Sequence, residues 1–426
     1  MTKRTTGRYE RTTVGGEEVG AFVPRALPPA EPPLVLDDAL VERLRAAEQA
    51  LVRLELAGEL IPSLDWFIDA FVRKEAVLSS QIEGTQATLV DLLTFEAHAD
   101  ADADAHADAD ADVDAKPSAS PNADVEEVCN YLEALVYSRA QLADPKGLPL
   151  SMRLLNQTHQ RLMRGVRGAE KLPGEVRSSQ NWIGGSRPGN AAYVPPPPQA
   201  LREVLGAFEK YLHANDPLSP LVRAGLLHVQ FETIHPYLDG NGRIGRLLVT
   251  LLLEHWKLLT KPLLYLSLFF KRHRDEYYRR LTAVRTEGDW EGWLDFFLDG
   301  VATIADEGVA SARELFALMA TDRARVLAHE GMSVVALRLF ELLPRHPIVS
   351  AASVIKLVQT TKPTAGRAIE LLVAVGVLVE TTGKRRDRAY VYQGYLDRLR
   401  VGTDLDDRGS TGRKVGRSRG IGERSS

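Results

Sequence analysis

From Val125 to about Leu315, apolar residues recur at three- and four-residue spacing almost without a break, which commits the middle of the chain to packed helices. Pro145-Lys146-Gly147 and Asp216-Pro217 punctuate the turns. One stretch resists the pattern. Arg177 to Pro198 holds Gly184, Gly185, Gly189 and four consecutive prolines, and reads as a loop or short hairpin. No period of about 20–50 residues repeats, which argues against a solenoid. At 426 residues the chain exceeds one ordinary core, so two or three domains are expected.

The flanks differ from this helical middle. Residues 1–40 carry Pro24, Pro28, Pro29, Pro32 and Pro33 and read as an extended arm. Asp37-Asp38 then offers an N-cap for a helix through Leu44, Ala47, Leu51 and Leu54, and a second helix runs from about Leu64 to Leu78. From Ala97 to Ala115 alanine alternates with aspartate; alanine buries little and the aspartates repel, so 97–122 reads as a disordered insertion. In the last third, Met332–Leu343 is predicted helical and Ser350 caps a second helix. A third starts at Thr361 and stops at Gly376. Val377–Glu380 and Ala389–Tyr392 flank a basic turn in a β-hairpin pattern, which makes 330–400 a winged helix. Residues 401–426 read as a disordered tail.

The net charge of −4 excludes a uniformly basic coat for nucleic acid. Seven aspartates in 97–115 more than account for it, leaving the remainder at about +3. A lone Cys129 forms no internal disulfide and no zinc site. The first residues lack the apolar core of a secretion signal, and Leu247–Phe270 is interrupted by Glu254, His255, Lys257 and Lys261. The expectation is a cytoplasmic protein with no membrane span.

The segment with chemistry in it is His235-Pro236-Tyr237-Leu238-Asp239-Gly240-Asn241-Gly242-Arg243-Ile244-Gly245-Arg246. Gly240 and Gly242 allow the backbone N–H groups to converge on a phosphate, and the helix that follows presents its positive end there. Arg243 and Arg246, one turn apart, can grip phosphate oxygens. Asp239 is a hard oxygen ligand suited to Mg2+, and His235 can act as a base near neutral pH. Singly these features read as a helix-end cap, a turn and a solvated face; together in twelve residues they read as an anion cradle.

This window resembles the central motif of the Fic family, HPFx(D/E)GN(G/K)RxxR, with Tyr237 in place of the usual Phe. The resemblance covers roughly residues 9–315 and implies a mainly α fold, a helical core with a small β-hairpin flap. It also implies transfer of AMP from ATP, with Mg2+, to a Ser, Thr or Tyr hydroxyl of a protein target or of the chain itself. His235 would deprotonate that hydroxyl and Asp239 would hold the metal. Gly240, Asn241 and Gly242, with Arg243, would meet the α and β phosphates, Arg246 the γ-phosphate, and Ile244 and Gly245 would line the same nucleotide site. Ser178–Gly185 resembles the flap, which places Asn181, Trp182, Ile183 and Gly184 beside the nucleotide. Of Tyr277-Tyr278, Tyr277 is the better candidate for contact with the base and Tyr278 reads equally well as core. Ser79-x-x-x-Glu83-Gly84 resembles the family's inhibitory motif, whose glutamate pairs with the second motif arginine, here Arg246.

The organisation expected is therefore an N-terminal region over 1–96, the insertion over 97–122, a Fic core over 123–320, the winged helix over 330–400 and the tail. A competing reading is a DNA-binding regulator whose Fic core senses nucleotide. Thr364 and Arg367 on the third helix, with Lys384, Arg385, Arg386 and Arg388 on the wing, would then face DNA. Removal of AMP, or use of another nucleotide, stands as a further alternative, and a homodimer is an additional partner reading.

Overall fold

The computed structural model describes residues 4–59, 65–102, 123–383 and 388–405. The Ala-Asp run beyond Asp102, Lys384, Arg385, Arg386 and the tail from 406 lie outside the described residues.

The arm expected at the N-terminus is a hairpin over its first half. Gly15 and Gly16 both take positive φ and turn β1 (Gly7–Val14) back onto β2 (Glu17–Pro24), antiparallel with Val14 opposite Glu17. A two-residue Gly-Gly turn suits the strand twist, and this outweighs the proline content further on. Phe22 N–H donates to Val194 O at 2.9 Å and Gln230 Nε2 to Arg25 O at 2.9 Å, tying the hairpin to the core.

The core that follows is helical. In chain order come α1 (Asp38–Glu59), α2 (Asp65–Ile82), α3 (Leu89–Asp102), α4 (Ala123–Ala143), α5 (Met152–Leu162), α6 (Pro198–Leu212), α7 (Pro220–Ile234), α8 (Asn241–His255), α9 (Ser267–Arg272), α10 (Arg274–Glu287) and α11 (Trp290–Ala328). Asp37 caps α1 by accepting from Leu40 N–H at 2.9 Å, and Ala47, Leu51 and Leu54 are buried where α1 packs along α11. Every residue of α7 from Leu221 to Ile234 is buried, and most of α8 is too. A helix buried on all sides belongs at the centre of a domain. Leu247, Leu248, Leu251 and Leu252 are fully buried, each contributing about 2 kcal/mol of burial. The turn between α7 and α8 therefore rests on two deeply buried helices.

The insertion expected to be disordered from Ala97 begins as helix, since α3 continues through Asp102. Alanine has the highest helix propensity, and that preference carries α3 into the run.

The last third contains α12 (Val334–Leu342), β3 (Ile348–Ser350), α13 (Ala351–Leu357), α14 (Lys362–Ala374), β4 (Val379–Glu380), β5 (Ala389–Val391) and α15 (Gln393–Leu399). The strands form one antiparallel sheet in the order β3-β5-β4. Ser350 accepts from Ser353 N–H at 3.1 Å to cap α13, and Gly376, at φ +73°, follows the end of α14.

Val401–Leu405 does not conform to the expected disorder. Thr403 is fully buried and its carbonyl accepts from Gln81 Nε2 at 2.8 Å. Lys271 Nζ donates to Gly402 O at 3.3 Å and to Asp404 O at 2.7 Å. The composition of this segment is that of a tail, but donors supplied by α2 and α9 satisfy its backbone, and nothing local reveals them. Among the described residues no helix is long and apolar enough to cross a membrane.

Candidate active site

The site is built on the α7–α8 turn. α7 ends at His235, whose φ of 50° and ψ of 63° are left-handed while its N–H still bonds Phe231 O at 2.9 Å. Pro236 cannot continue a helix, so the chain leaves the axis there. Tyr237 then plugs into the core. Its ring stacks on His159 at 3.9 Å and its hydroxyl donates to Asn156 Oδ1 at 2.8 Å, so the extra polar atom relative to Phe is satisfied. Asn241 closes the loop: its Oδ1 accepts from Tyr237 N–H at 2.9 Å and its Nδ2 donates to Tyr237 O at 2.8 Å. The Asn241 amide is thus spent on the loop, and only its backbone remains for a ligand. Gly240, at φ +73°, starts α8 with no side-chain cap. An uncapped helix start leaves N–H groups and the positive end of the dipole for an anion.

Two titratable groups flank that cradle. Asp239 accepts from Lys171 Nζ at 2.7 Å and from Gly240 N–H at 2.7 Å. Partial burial alone would raise its carboxyl; the Lys171 bond and the Gly240 N–H outweigh it and hold it below the ordinary range. His235 has a buried Nδ1 with no hydrogen-bond partner, and burial together with Arg177 lowers its pKa to about 4. The imidazole is therefore neutral near pH 7 and able to take a proton.

Arg246 is held where the sequence expects it. Its Nη2 donates to Glu83 Oε1 at 2.7 Å and to Ser79 O at 2.9 Å, and its Nε to Ser79 Oγ at 2.9 Å. Burial pushes Glu83 up, but Arg246 outweighs it and keeps the carboxylate ionised, while Glu83 in turn raises Arg246 against its own burial. Gly84, at φ +99°, lets the chain turn away directly after the glutamate. The Glu83 side chain, 32% exposed, lies over the cradle: a Cβ on Gly242 would stand 2.1 Å from its Oε1. Gly242→Ala is accordingly expected to expel Glu83 without activating, because the same methyl stands where the phosphate that replaces the carboxylate would lie. The rate of nucleotide transfer should stay at or below the parent's, and a several-fold rise would show that the phosphate passes clear of Gly242.

Several expected contacts are placed elsewhere. Arg243 does not face an open cradle; it is buried, with Nη1 3.3 Å from Glu127 Oε2, which also accepts from Thr85 Oγ1 at 2.9 Å. A buried carboxylate on α4 captures it, because a buried guanidinium needs a counter-charge. Ile244 is fully buried core, and a Cβ on Gly245 would meet Glu232 Oε1 at 2.2 Å, so both pack closely against their surroundings. Tyr277 is not the exposed ring. It is buried against Phe270 at 4.5 Å with its hydroxyl 2.9 Å from His228 Nε2, whereas Tyr278 is 41% exposed. The α10 period puts consecutive residues on different faces, and the core takes the first.

The flap is looser than a hairpin. Ile183 and Tyr193 form a single antiparallel bridge, at 2.8 and 3.1 Å, since prolines at 195–198 lack N–H donors and Gly184 and Gly185 turn with positive φ. Asn181 Nδ2 lies 3.4 Å from Tyr237 O and 3.3 Å from Leu238 O, which leans the flap on the α7–α8 turn, and Trp182 is exposed. On α14, Arg367 is exposed and Thr364 half-buried; Arg388 is exposed before β5. Lys171, Glu127, Glu232 and Arg177 were not legible as site residues. Glu232 alone had a signal, lying one turn before His235 on α7.

The Fic/DOC family N-terminal model matches residues 41–140 and the Fic/DOC family model residues 149–253. The protein adenylyltransferase Fic of Culex quinquefasciatus is 30% identical over 175 residues, 41% of this chain, and that of Drosophila grimshawi 31% identical over 168 residues, 39% of this chain. The chain spans about a third of the length of these curated relatives, 32% and 31%. The crystal structure of a Fic family protein from Desulfovibrio desulfuricans G20 superposes with a TM-score of 0.52 at 20% identity, covering 84% of this chain and 97% of that one, and shows the shared fold. Glu83 and Glu127 fall in the first matched span and His235 to Arg246 in the second, and the chain carries a Fic/DOC family N-terminal domain followed by a Fic domain.

Proposed function

We propose that the protein is a protein adenylyltransferase that moves AMP from ATP to a Ser, Thr or Tyr hydroxyl, restrained by Glu83. The observation that carries the reading is the neutral His235 beside the uncapped start of α8, with Arg246 paired to a carboxylate where a terminal phosphate would bind. In the reaction the target oxygen forms a bond to the α-phosphorus and its proton passes to the His235 imidazole. The bond from the α-phosphorus to the bridging oxygen breaks and pyrophosphate leaves. The α8 N–H groups and Arg246 offset charge on the phosphates, so catalysis is chiefly positioning and neutralisation. Among the described residues no three potential metal ligands cluster, and Asp239 is the carboxylate that would hold a metal at the cradle. That fits Mg2+, which takes one or two carboxylates and completes its shell with phosphate oxygens and water. Bound there, Mg2+ would neutralise phosphate charge, and Lys171 would release Asp239.

The names of the relatives support this activity. The exposure of Arg367 and Arg388 favours a second reading, a winged-helix module that binds nucleic acid and recruits the core to a target. The test is incubation of the Glu83→Gly form with labelled ATP and Mg2+, with a His235→Ala partner in parallel. Label should enter protein in the first and not the second. Absence of label from both, on any substrate including the chain itself, would overturn the AMP-transfer reading.

A further inference from the structure

Arg177 stands at the entrance to the Gly- and Pro-rich stretch and is buried. Its Nε donates to His235 O at 2.9 Å, its Nη1 to Ser179 O at 3.2 Å and its Nη2 to Pro196 O at 2.6 Å. Its own N–H donates to Pro236 O at 2.9 Å. One residue thus joins the α7–α8 turn to both ends of the flap. Its three guanidinium bonds all go to carbonyls, an expensive use of a buried charge; burial lowers its pKa to about 10, which still leaves it charged at neutral pH.

From this geometry we infer that Arg177 is a positioning residue for the transfer, holding the His235 backbone and the flap in one register so that imidazole and incoming hydroxyl meet. The inference rests on the proposed role of His235. His235 sits in the left-handed region, where a non-glycine residue persists only if its surroundings enforce it. The Arg177 bond to its carbonyl is one such restraint. Lysine cannot replace it, because a single ammonium does not span three carbonyls in fixed directions. The cation also acts on the imidazole. Among the charged groups around His235, Arg177 and Arg285 oppose its protonation, while Glu83 and the Glu232 backbone carbonyl favour it. Removing the Arg177 charge therefore raises the His235 pKa toward its ordinary value and moves the acid limb of the rate profile to higher pH.

The experiment compares Arg177→Gln and Arg177→Lys on the Glu83→Gly background, with thermal unfolding and ATP KM measured alongside. Arg177→Gln should lower kcat by roughly 10²-fold with little change in ATP KM, and its acid limb should shift upward. Arg177→Lys should lower kcat but leave the acid limb in place, because charge remains while the three-way grip is lost. An unmoved acid limb in Arg177→Gln, or a loss confined to KM, overturns the inference. If Arg177→Gln does not fold, the lysine form decides: lower kcat at constant KM supports the assignment, and unchanged kcat overturns it. His235→Ala in the same series separates the two levels. If it turns over as fast as its background, the general-base reading falls; if it is inactive while both Arg177 forms are unaffected, only the role of Arg177 falls.

Discussion

Glu83→Gly is expected to raise the initial rate of AMP transfer, or of self-labelling, on the order of 10²-fold above the parent at saturating ATP. The reason is charge and place. The ionised carboxylate 2.7 Å from Arg246 Nη2 occupies the arginine's open side and repels a phosphate that would take it. ATP can then enter only with its tail bent away, and displacement of the α-phosphorus by about an ångström is enough for a loss of that size. Glu83→Gln should activate partially, since it removes charge and keeps bulk. Arg246→Ala should not activate, because it frees the glutamate but destroys the clamp. The pH sign follows from the depressed Glu83 pKa: the pair is complete above the ordinary carboxylate value of about 4.3 and is lost as pH falls through the lower folded value. The restraint is therefore fully in force at neutral pH. A Glu83→Gly rate no higher than the parent's would make Glu83 a structural residue at the end of α2.

The second large effect is at His235. Its replacement by alanine should lower transfer by about 10²–10⁴-fold while ATP affinity stays close to the parent's, because the cradle is built from α8 and not from the imidazole. His235 already carries the left-handed backbone at φ +50°, which histidine and asparagine populate more readily than alanine, so alanine adds a small backbone cost that has nothing to do with the base. His235→Asn is the cleaner companion, since asparagine tolerates that region. Equal losses in the two variants would assign the effect to the missing base. Recovery in His235→Asn would assign it to the loop.

The parts of this molecule that sequence reveals are those encoded locally. Asp37, Ser350 and Gly376 mark helix ends through their own side chains or lack of one, and the His235–Arg246 window carries its chemistry in consecutive residues. Ser79 and Glu83 could be joined to Arg246 only through resemblance, since 163 positions separate Glu83 from the arginine. What sequence hides is capture by distant partners. Arg243 reads as a phosphate ligand until Glu127, 116 positions away, is seen against it. Tyr277 and Tyr278 are equivalent as letters, and only the packing of α10 against Phe270 and His228 separates them. Arg177 looks like the first residue of a loop, because backbone carbonyls leave no trace in a sequence.

Gln81 adds a practical consequence. Its amide donates both to Ala87 O, at 2.9 Å, and to Thr403 O, at 2.8 Å, while its Oε1 accepts from Lys271 Nζ at 2.8 Å. Trimming the chain after Arg400 looks harmless by composition, yet it would strip partners from a glutamine two positions before Glu83. Rates measured on such a shortened protein would carry that vacated contact within them, and comparing enzymes of different length would mix the effect of the tail with that of the catalytic residues.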